Sequence, residues 1–249
     1  MNFNYQFKIS FAGINTEIRC RYGQIKELCG DYLTASGRTD ITVGIGAEEL
    51  DAAVNENPDF PPWYTEFSLL YRDIMRSVPY YGVFAIHGAA ITCGERAYVF
   101  TAPSGTGKST HIRQWKKYLG DKVDIINGDK PVVLIGEKEA FICSTPWSGK
   151  EGWHKNRCAV LGGVCILKRG KENSIKTVEP GAVLDELISQ IFIPVGDATA
   201  ALLSLELFDR MCGLAPFYQL SCDISEQAVK TAYSALTGKE YPKFVRNPF

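Results

Sequence analysis

Ala102-Pro103-Ser104-Gly105-Thr106-Gly107-Lys108-Ser109-Thr110 is the stretch on which the reading of this chain turns. An apolar run, Tyr98-Val99-Phe100, leads into it, and a helical stretch continues to Leu119. A glycine-rich loop that joins a strand to a helix start is the context in which this pattern binds phosphate. Gly105 and Gly107 let the backbone curl until its N–H groups converge, and the helix N-terminus adds partial positive charge. Lys108 places an ammonium between the β- and γ-phosphates, and the Ser109 hydroxyl suits Mg²⁺. Ser104, Gly105, Thr106, Gly107, Lys108, Ser109 and Thr110 are therefore the expected nucleotide-binding residues. The strict pattern begins with glycine, where this chain has Ala102. A plain glycine-rich turn with a solvated lysine is the alternative, and the flanking strand and helix argue against it.

A metal at such a loop needs a carboxylate. The run Val123-Asp124-Ile125-Ile126-Asn127-Gly128-Asp129 delivers one at a strand end, and Asp129 joins Ser109 as the expected metal ligand. Asp124, inside the strand, reads as a surface residue. Asn-Gly-Asp is also good turn chemistry. His87, at another strand end, suits proton transfer or contact with the γ-phosphate, against the alternative of a hydrogen-bonded structural histidine. His111, one turn into the loop's helix, reads either as a phosphate neighbour or as a solvent-facing residue. The segment 145–156, TPWSGKEGWHKN, is too polar for core and too patterned for a spacer. Lys150 within it is a candidate second cation for transition-state charge. Lys168-Arg169-Gly170 reads as a distal clamp or a solvated strand exit.

Around these motifs, residues 2–10 alternate, Ala12-Gly13 supplies a turn, and 14–20 returns as a second strand. A short strand covers 41–45, and the Asn- and Pro-rich stretch 51–62 reads as a boundary loop. Trp63, Phe67, Leu70, Tyr71 and Met75 recur at helical spacing, ended by Pro79. Strands are expected at 83–86, 89–93 and 96–101, the last two forming a hairpin at Gly94-Glu95. Further strands follow at 123–126, 132–135, 140–143, 159–167 and 217–220. Helices are expected at 180–192, 198–212 and 226–236, the last capped by Ser225. Hairpins followed by alternating strands and helices imply a mixed α/β sheet. The expected division is a small α+β N-terminal region, 1–80, for substrate recognition or packing, and a catalytic domain, 81–249.

Taken together, Ile86-His87-Gly88 before the hairpin, the SGTGKST loop, Asn127-Gly128-Asp129 and Thr145-Pro146-Trp147-Ser148-Gly149-Lys150 resemble the HPr kinase/phosphorylase catalytic domain. That family shares its fold with phosphoenolpyruvate carboxykinases, and the resemblance covers roughly residues 82–236. It implies a mixed-sheet phosphate-loop kinase, dependent on ATP and Mg²⁺, that phosphorylates a serine-type hydroxyl of a protein, peptide or small molecule. It also makes a homo-oligomer plausible. Catalytic roles carry over to Asp129, His87, Lys108 and Lys150. The family usually has two adjacent aspartates where this chain has Gly128-Asp129, so His87 or Glu151 has to share the roles of proton acceptor and metal ligand. Residues 1–80 do not resemble the family's N-terminal domain.

The 249 residues are 45% hydrophobic, 12% aromatic and 22% charged, which excludes disordered and fibrous classes. With 27 Lys and Arg against 28 Asp and Glu, no global field attracts nucleic acid or anionic membrane. The longest nearly apolar stretch, 159–167, is far shorter than the roughly 20 residues a spanning helix needs. Eight cysteines without a CxxC pair, most in apolar runs, read as reduced thiols of a cytoplasmic protein, against a secreted disulfide protein. Two further functions compete with the kinase: a nucleotide-binding module without acceptor chemistry, favoured by Gly128, and a carboxykinase, which would need a second ligand constellation. A nucleotide kinase of the adenylate type would need paired arginines, and arginine is scattered here.

Overall fold

The computed structural model describes residues 3–242. Asn2, which heads the expected first strand, and 243–249, which end the expected catalytic domain, lie outside the described residues. Alternation at the N-terminus becomes β1 (Tyr5–Phe11) and β2 (Ile14–Cys20), antiparallel and burying Ile9, Phe11, Ile14 and Ile18 on one face. The turn needs positive φ at both central positions, and Ala12 (50°) and Gly13 (78°) supply it. After α1 (Gly23–Leu28), β3 (Ile41–Gly44) adds to β2 in parallel.

The expected boundary loop at 51–62 is half helix. α2 (Ala47–Glu56) carries acidic Glu48 and Glu49 in its first turn, where the helix dipole favours them. It ends where the Asn57 backbone and side-chain amides both donate to Ala53 O. Pro61 and Pro62 then open α3 (Pro62–Ser77), since proline suits a first helical position. This helix buries Phe67, Leu70, Ile74 and Met75 in one apolar cluster with Ile9 and Ile18 of the first sheet, Val83 and Val132 of the second, and Trp147 of the loop after residue 143. Glu66, fully buried, accepts from the Arg21 guanidinium at 2.9 Å and so pins α3 to the end of β2.

The rest of the chain is a mixed α/β layer. In order come β4 (Val83–Ala85), β5 (Gly88–Cys93), β6 (Arg96–Thr101), α4 (Lys108–Leu119), β7 (Val123–Asn127), β8 (Val132–Ile135), β9 (Ala140–Cys143) and β10 (Cys158–Arg169). They are followed by β11 (Ser174–Val178), α5 (Leu184–Ile188), α6 (Ala198–Leu214), β12 (Phe217–Cys222) and α7 (Glu226–Thr237). Among the described residues the sheet runs β4-β8-β9-β10-β6-β5-β7, with β12 beside β10 and β11 outside it. The long β10 pairs antiparallel with β9 at Cys158–Val160, then parallel with β12 at Val164–Arg169. Gly162 and Gly163 mark the change: a Cβ there would come within 2.8 Å of Tyr98 and 2.9 Å of Tyr218. Close backbone approach thus lets one strand serve two neighbours, and the sheet curls. α4 and α7 cover one face through Ile112, Trp115, Val229 and Ala232, and α6 covers the other through Phe208 and Met211.

Three expectations change. Residues 180–192 form a 3₁₀ turn (Pro180–Val183) and the short α5 rather than one helix. β11 was hidden because its sequence, SIKTV, is largely exposed and carries little apolar signal. The cysteines are not all reduced: Cys143 and Cys158 face each other across β9 and β10, Cα atoms 4.1 Å apart, and form a disulfide, while the other six are free. Among the described residues no helix is long and apolar enough to cross a membrane.

Candidate functional site

The glycine-rich loop leaves β6 and enters α4 as its sequence requires. Gly105 (φ 78°) and Gly107 (φ 120°) take the left-handed backbone, and a Cβ on either would meet nothing within 4 Å. The first N–H groups of α4 have no intrahelical partner, and Gly107 brings no side chain to cap them. That concavity suits a phosphate. Ala102, where the strict pattern has glycine, has no positive φ and is buried, so a methyl group fits without strain. The buried Lys108 folds over the loop and donates to Ala102 O at 2.7 Å and Pro103 O at 3.4 Å. Burial pushes its ammonium below the ordinary lysine value, opposed by Asp129 and reinforced by Lys130, so both act on it. Ser109 and Thr110 sit half-buried in the first turn. Arg169, at the end of β10, donates to Thr106 O at 3.0 Å and to Gly105 O, so the strand exit is a clamp on the loop.

Asp129 stands on a turn shaped by buried Asn127. The Asn127 carboxamide oxygen accepts from Asp129 N (2.9 Å) and Lys130 N (2.8 Å), and its nitrogen donates to Thr145 O (2.9 Å). Asp129 Oδ1 faces His87 Nε2 at 3.4 Å, and Oδ2 accepts from the Lys130 ammonium. Burial alone would raise the Asp129 pKa, but the His87 contact and Lys130 outweigh it and hold the carboxyl well below the usual carboxylate range. Gln190 orients His87 from the other side. Its amide nitrogen donates to Ser189 Oγ, which itself donates to Glu186 O, so its oxygen accepts from His87 Nδ1 at 2.9 Å. The His87 ring is thereby held between Gln190 and Asp129.

The loop 144–157 closes over this turn. Gly128 N donates to Trp153 O at 2.9 Å, and Thr145 Oγ1 to Lys130 O at 2.7 Å. A Cβ on Gly128 would stand 3.0 Å from Ser148 O, a close contact for any larger side chain there. Gly149 lies against Asp129, where a Cβ would come 3.0 Å from the aspartate's own. Lys150, the next residue, is exposed at the loop tip and makes no ion pair among the described residues. Glu151 faces Arg113 of α4 at 3.9 Å. Asp124 pairs with Lys155 and Arg157 on the surface, as the sequence implied. His111 does not face solvent: it is buried in the wall of the cavity beside the loop, its Nε2 accepting from Trp115 Nε1 at 2.9 Å.

Lys130 and Gln190 are the site residues that sequence reasoning missed, while Asn127 was read as part of the Asn-Gly-Asp motif without its turn-shaping role. Lys130 adjoins Asp129, so proximity was the available signal. Gln190, 103 positions from its partner, gave none. Two cavities open on the site. One of about 380 Å³ beside the loop is lined by Gly107, Thr110, Leu167, Arg169, Asp223 and Ile224. The other, about 710 Å³, lies between α3 and the 146–152 loop with Lys130 among its lining.

No protein-family model and no curated protein matches the chain. Among solved structures, the HPr(Ser) kinase/phosphatase of Coxiella burnetii aligns with a TM-score of 0.36 and 7% identity, over 62% of this chain and 93% of that one. So distant a likeness decides nothing about activity, and the functional reading rests on the residues above.

Proposed function

We propose that the chain is an ATP- and Mg²⁺-dependent kinase of the HPr kinase-like type that transfers the γ-phosphate to a serine-type hydroxyl. The observation that carries this reading is one juxtaposition: Thr101, the last strand residue before the phosphate-binding loop, donates to His87 O at 2.8 Å and Gly88 N donates to Asp129 O at 2.9 Å, which sets the loop beside the Asp129 carboxylate and its partner Lys130. The residues present fit the nucleotide. The loop offers unpartnered N–H groups and open space, Lys108 needs only to exchange carbonyls for phosphate oxygens, and the 380 Å³ cavity at Thr110 has the apolar walls a nucleobase stacks on. Ser109 and Asp129 would hold the metal.

Bound Mg²⁺–ATP supplies the phosphoryl group and the charge that neutralises it. Lys108 binds the terminal phosphate. Lys130 places positive charge, and His87 its ring edge, where the transferring group gathers negative charge, the electrostatic positioning on which phosphoryl transfer mostly depends. Asp129, with its basicity lowered, accepts the hydrogen bond of the acceptor hydroxyl and aims the oxygen; it orients more than it stores a proton. Gly149 of the 146–152 loop packs against one side of the Asp129 side chain. Titration calorimetry with Mg²⁺ and a non-hydrolysable ATP analogue tests the reading. Wild type should bind and Lys108→Ala should bind far more weakly. A wild-type protein that binds no triphosphate would overturn the reading.

A further inference from the structure

The turn that carries Asp129 is braced from behind by a residue of the N-terminal region. Tyr32, at the end of the 3₁₀ turn Gly30–Tyr32, is buried, and its hydroxyl lies 2.7 Å from Ser144 Oγ, 112 positions away. Ser144 donates its single proton to Ile126 O at 2.7 Å, so Tyr32 is the donor of the pair. Ser144 Oγ also accepts, at 3.4 Å, from Asn127 Nδ2, the amide that donates to Thr145 O. The other end of that carboxamide accepts from Asp129 N and Lys130 N. A buried line of hydrogen bonds thus runs from Tyr32 through Ser144 and Asn127 to the backbone under Asp129. Burial pushes the Tyr32 phenol above its ordinary value, so the donor keeps its proton. Two further side chains tie the same loop to residues 1–80. Asn156 Nδ2 donates to Asp31 O (3.1 Å) and Ser10 O (3.2 Å), and Trp147 Nε1 donates to Phe67 O (2.9 Å).

Resting on the reading of Asp129 as the group that aims the acceptor hydroxyl, we propose that Tyr32 is a positioning residue: its hydroxyl, through Ser144, fixes the Asn127 carboxamide and so the turn that presents Asp129. A carboxamide needs such fixing. Its two ends have nearly the same shape, and a half-turn would set Nδ2 against the N–H groups of Asp129 and Lys130. Ser144 Oγ, with its own proton engaged at Ile126 O, can only accept, so it admits the nitrogen end alone. Tyr32 holds that oxygen in place. Without the phenol hydroxyl, Ser144 Oγ keeps Ile126 O and the longer Asn127 contact, with a gap where its shortest-range donor stood. A phenylalanine would fill the ring's site, edge-on to His154 at 5.5 Å, and leave the line open at its buried end. The N-terminal region thereby belongs to the framework of the site, although none of its side chains in this line touches the carboxylate.

The test uses the full chain and its variants Tyr32→Phe, Ser144→Ala and the two combined, each studied well below its melting temperature. Two readouts are taken: NMR amide shifts of the ¹⁵N-labelled protein, and transfer from γ-labelled ATP with Mg²⁺ into a dialysed host lysate plus its small-molecule fraction. In Tyr32→Phe the amide protons of Asp129 and Lys130 should move upfield, while those of Val99 and Phe100 in β6 stay in place. Transfer at saturating ATP should fall about three- to tenfold, the factor one buried hydrogen bond is worth, with the half-saturating ATP concentration unchanged. Ser144→Ala should slow transfer at least as much, and the combined variant should be no slower than Ser144→Ala alone, since both act on one line of bonds. If Tyr32→Phe keeps the wild-type shifts or the wild-type rate, or if the two losses multiply, Tyr32 only packs, and the proposal falls while the kinase reading stands. If wild type itself transfers no phosphate, or calorimetry shows no triphosphate binding, the kinase reading falls and the proposal with it.

Discussion

Protonating His111 should loosen the helix that carries the phosphate-binding loop. His111 is 4% exposed; its Nε2 accepts from Trp115 Nε1, its ring meets Phe100 edge-on at 4.7 Å, and its Nδ1 lies 3.9 Å from Cys222 Sγ. Among the described residues no carboxylate compensates a charge there, and burial pushes the pKa down from 6.5 to about 4. The native state therefore holds His111 neutral while the unfolded chain protonates it near 6.5. Its contribution is complete above that value and drains away as pH falls toward about 4. A gap of about 2.5 units at 1.36 kcal/mol per unit is worth about 3 kcal/mol. For a chain of this size that corresponds to about 6–12 °C in Tm. Urea melts at pH 7.5 and 4.5 should be compared for wild type and His111→Gln, whose amide oxygen can still accept from Trp115. Carboxylates titrate alike in both proteins and cancel in the difference. Wild type should lose more stability than the variant on acidification, by most of that amount. Equal losses would refute the buried neutral imidazole and the packing argument with it.

The Cys143–Cys158 disulfide closes a 15-residue separation at the base of the site loop, so Cys143→Ser/Cys158→Ser or reduction should cost about 3 kcal/mol in a denaturant melt. An unchanged midpoint would contradict it. Gly128→Asp should destabilise by about 1–3 kcal/mol through contact with Ser148 O and slow transfer; a faster enzyme of unchanged stability would refute that steric cost. Asp129→Asn should abolish transfer with nucleotide affinity largely kept. Because its folded pKa is depressed, Asp129 adds stability above the unfolded carboxylate value near 3.9 that is lost as pH falls further, and an acid titration of the Asn variant should lack that limb. His87→Ala should lower kcat by about 10²–10³, read by steady-state kinetics, and near-normal turnover would reduce His87 to a structural residue.

What the sequence revealed follows a physical line. Local geometry was legible: the loop, the Gly94-Glu95 hairpin and the Ser225 cap depend on residues within one turn of each other, and the Ser225 hydroxyl accepts from Ala228 N as expected. Asp129 was legible because a strand end followed by turn residues projects its side chain from a sheet edge. The His87–Gln190 contact, the packing of Ser148 over Gly128 and the cavity between α3 and the 146–152 loop were not, since each joins segments far apart in sequence. The disulfide escaped for a related reason: Cys143 and Cys158 meet only through the register of β9 on β10. At 51–62 the error had another source. Asn and Pro residues outweighed the helical run up to Glu56, although only the stretch after it is loop.

The most direct test of the central claim is transfer of phosphate from γ-labelled ATP with Mg²⁺ into a dialysed host lysate supplemented with its own small-molecule fraction, comparing wild type with Lys108→Ala. A kinase built on this loop and Asp129 labels an acceptor with wild type only, and the position of the label among proteins, peptides and small molecules names the acceptor class. No label above the Lys108→Ala background, in a protein that still binds the triphosphate, would contradict the account and leave a nucleotide-binding module in its place.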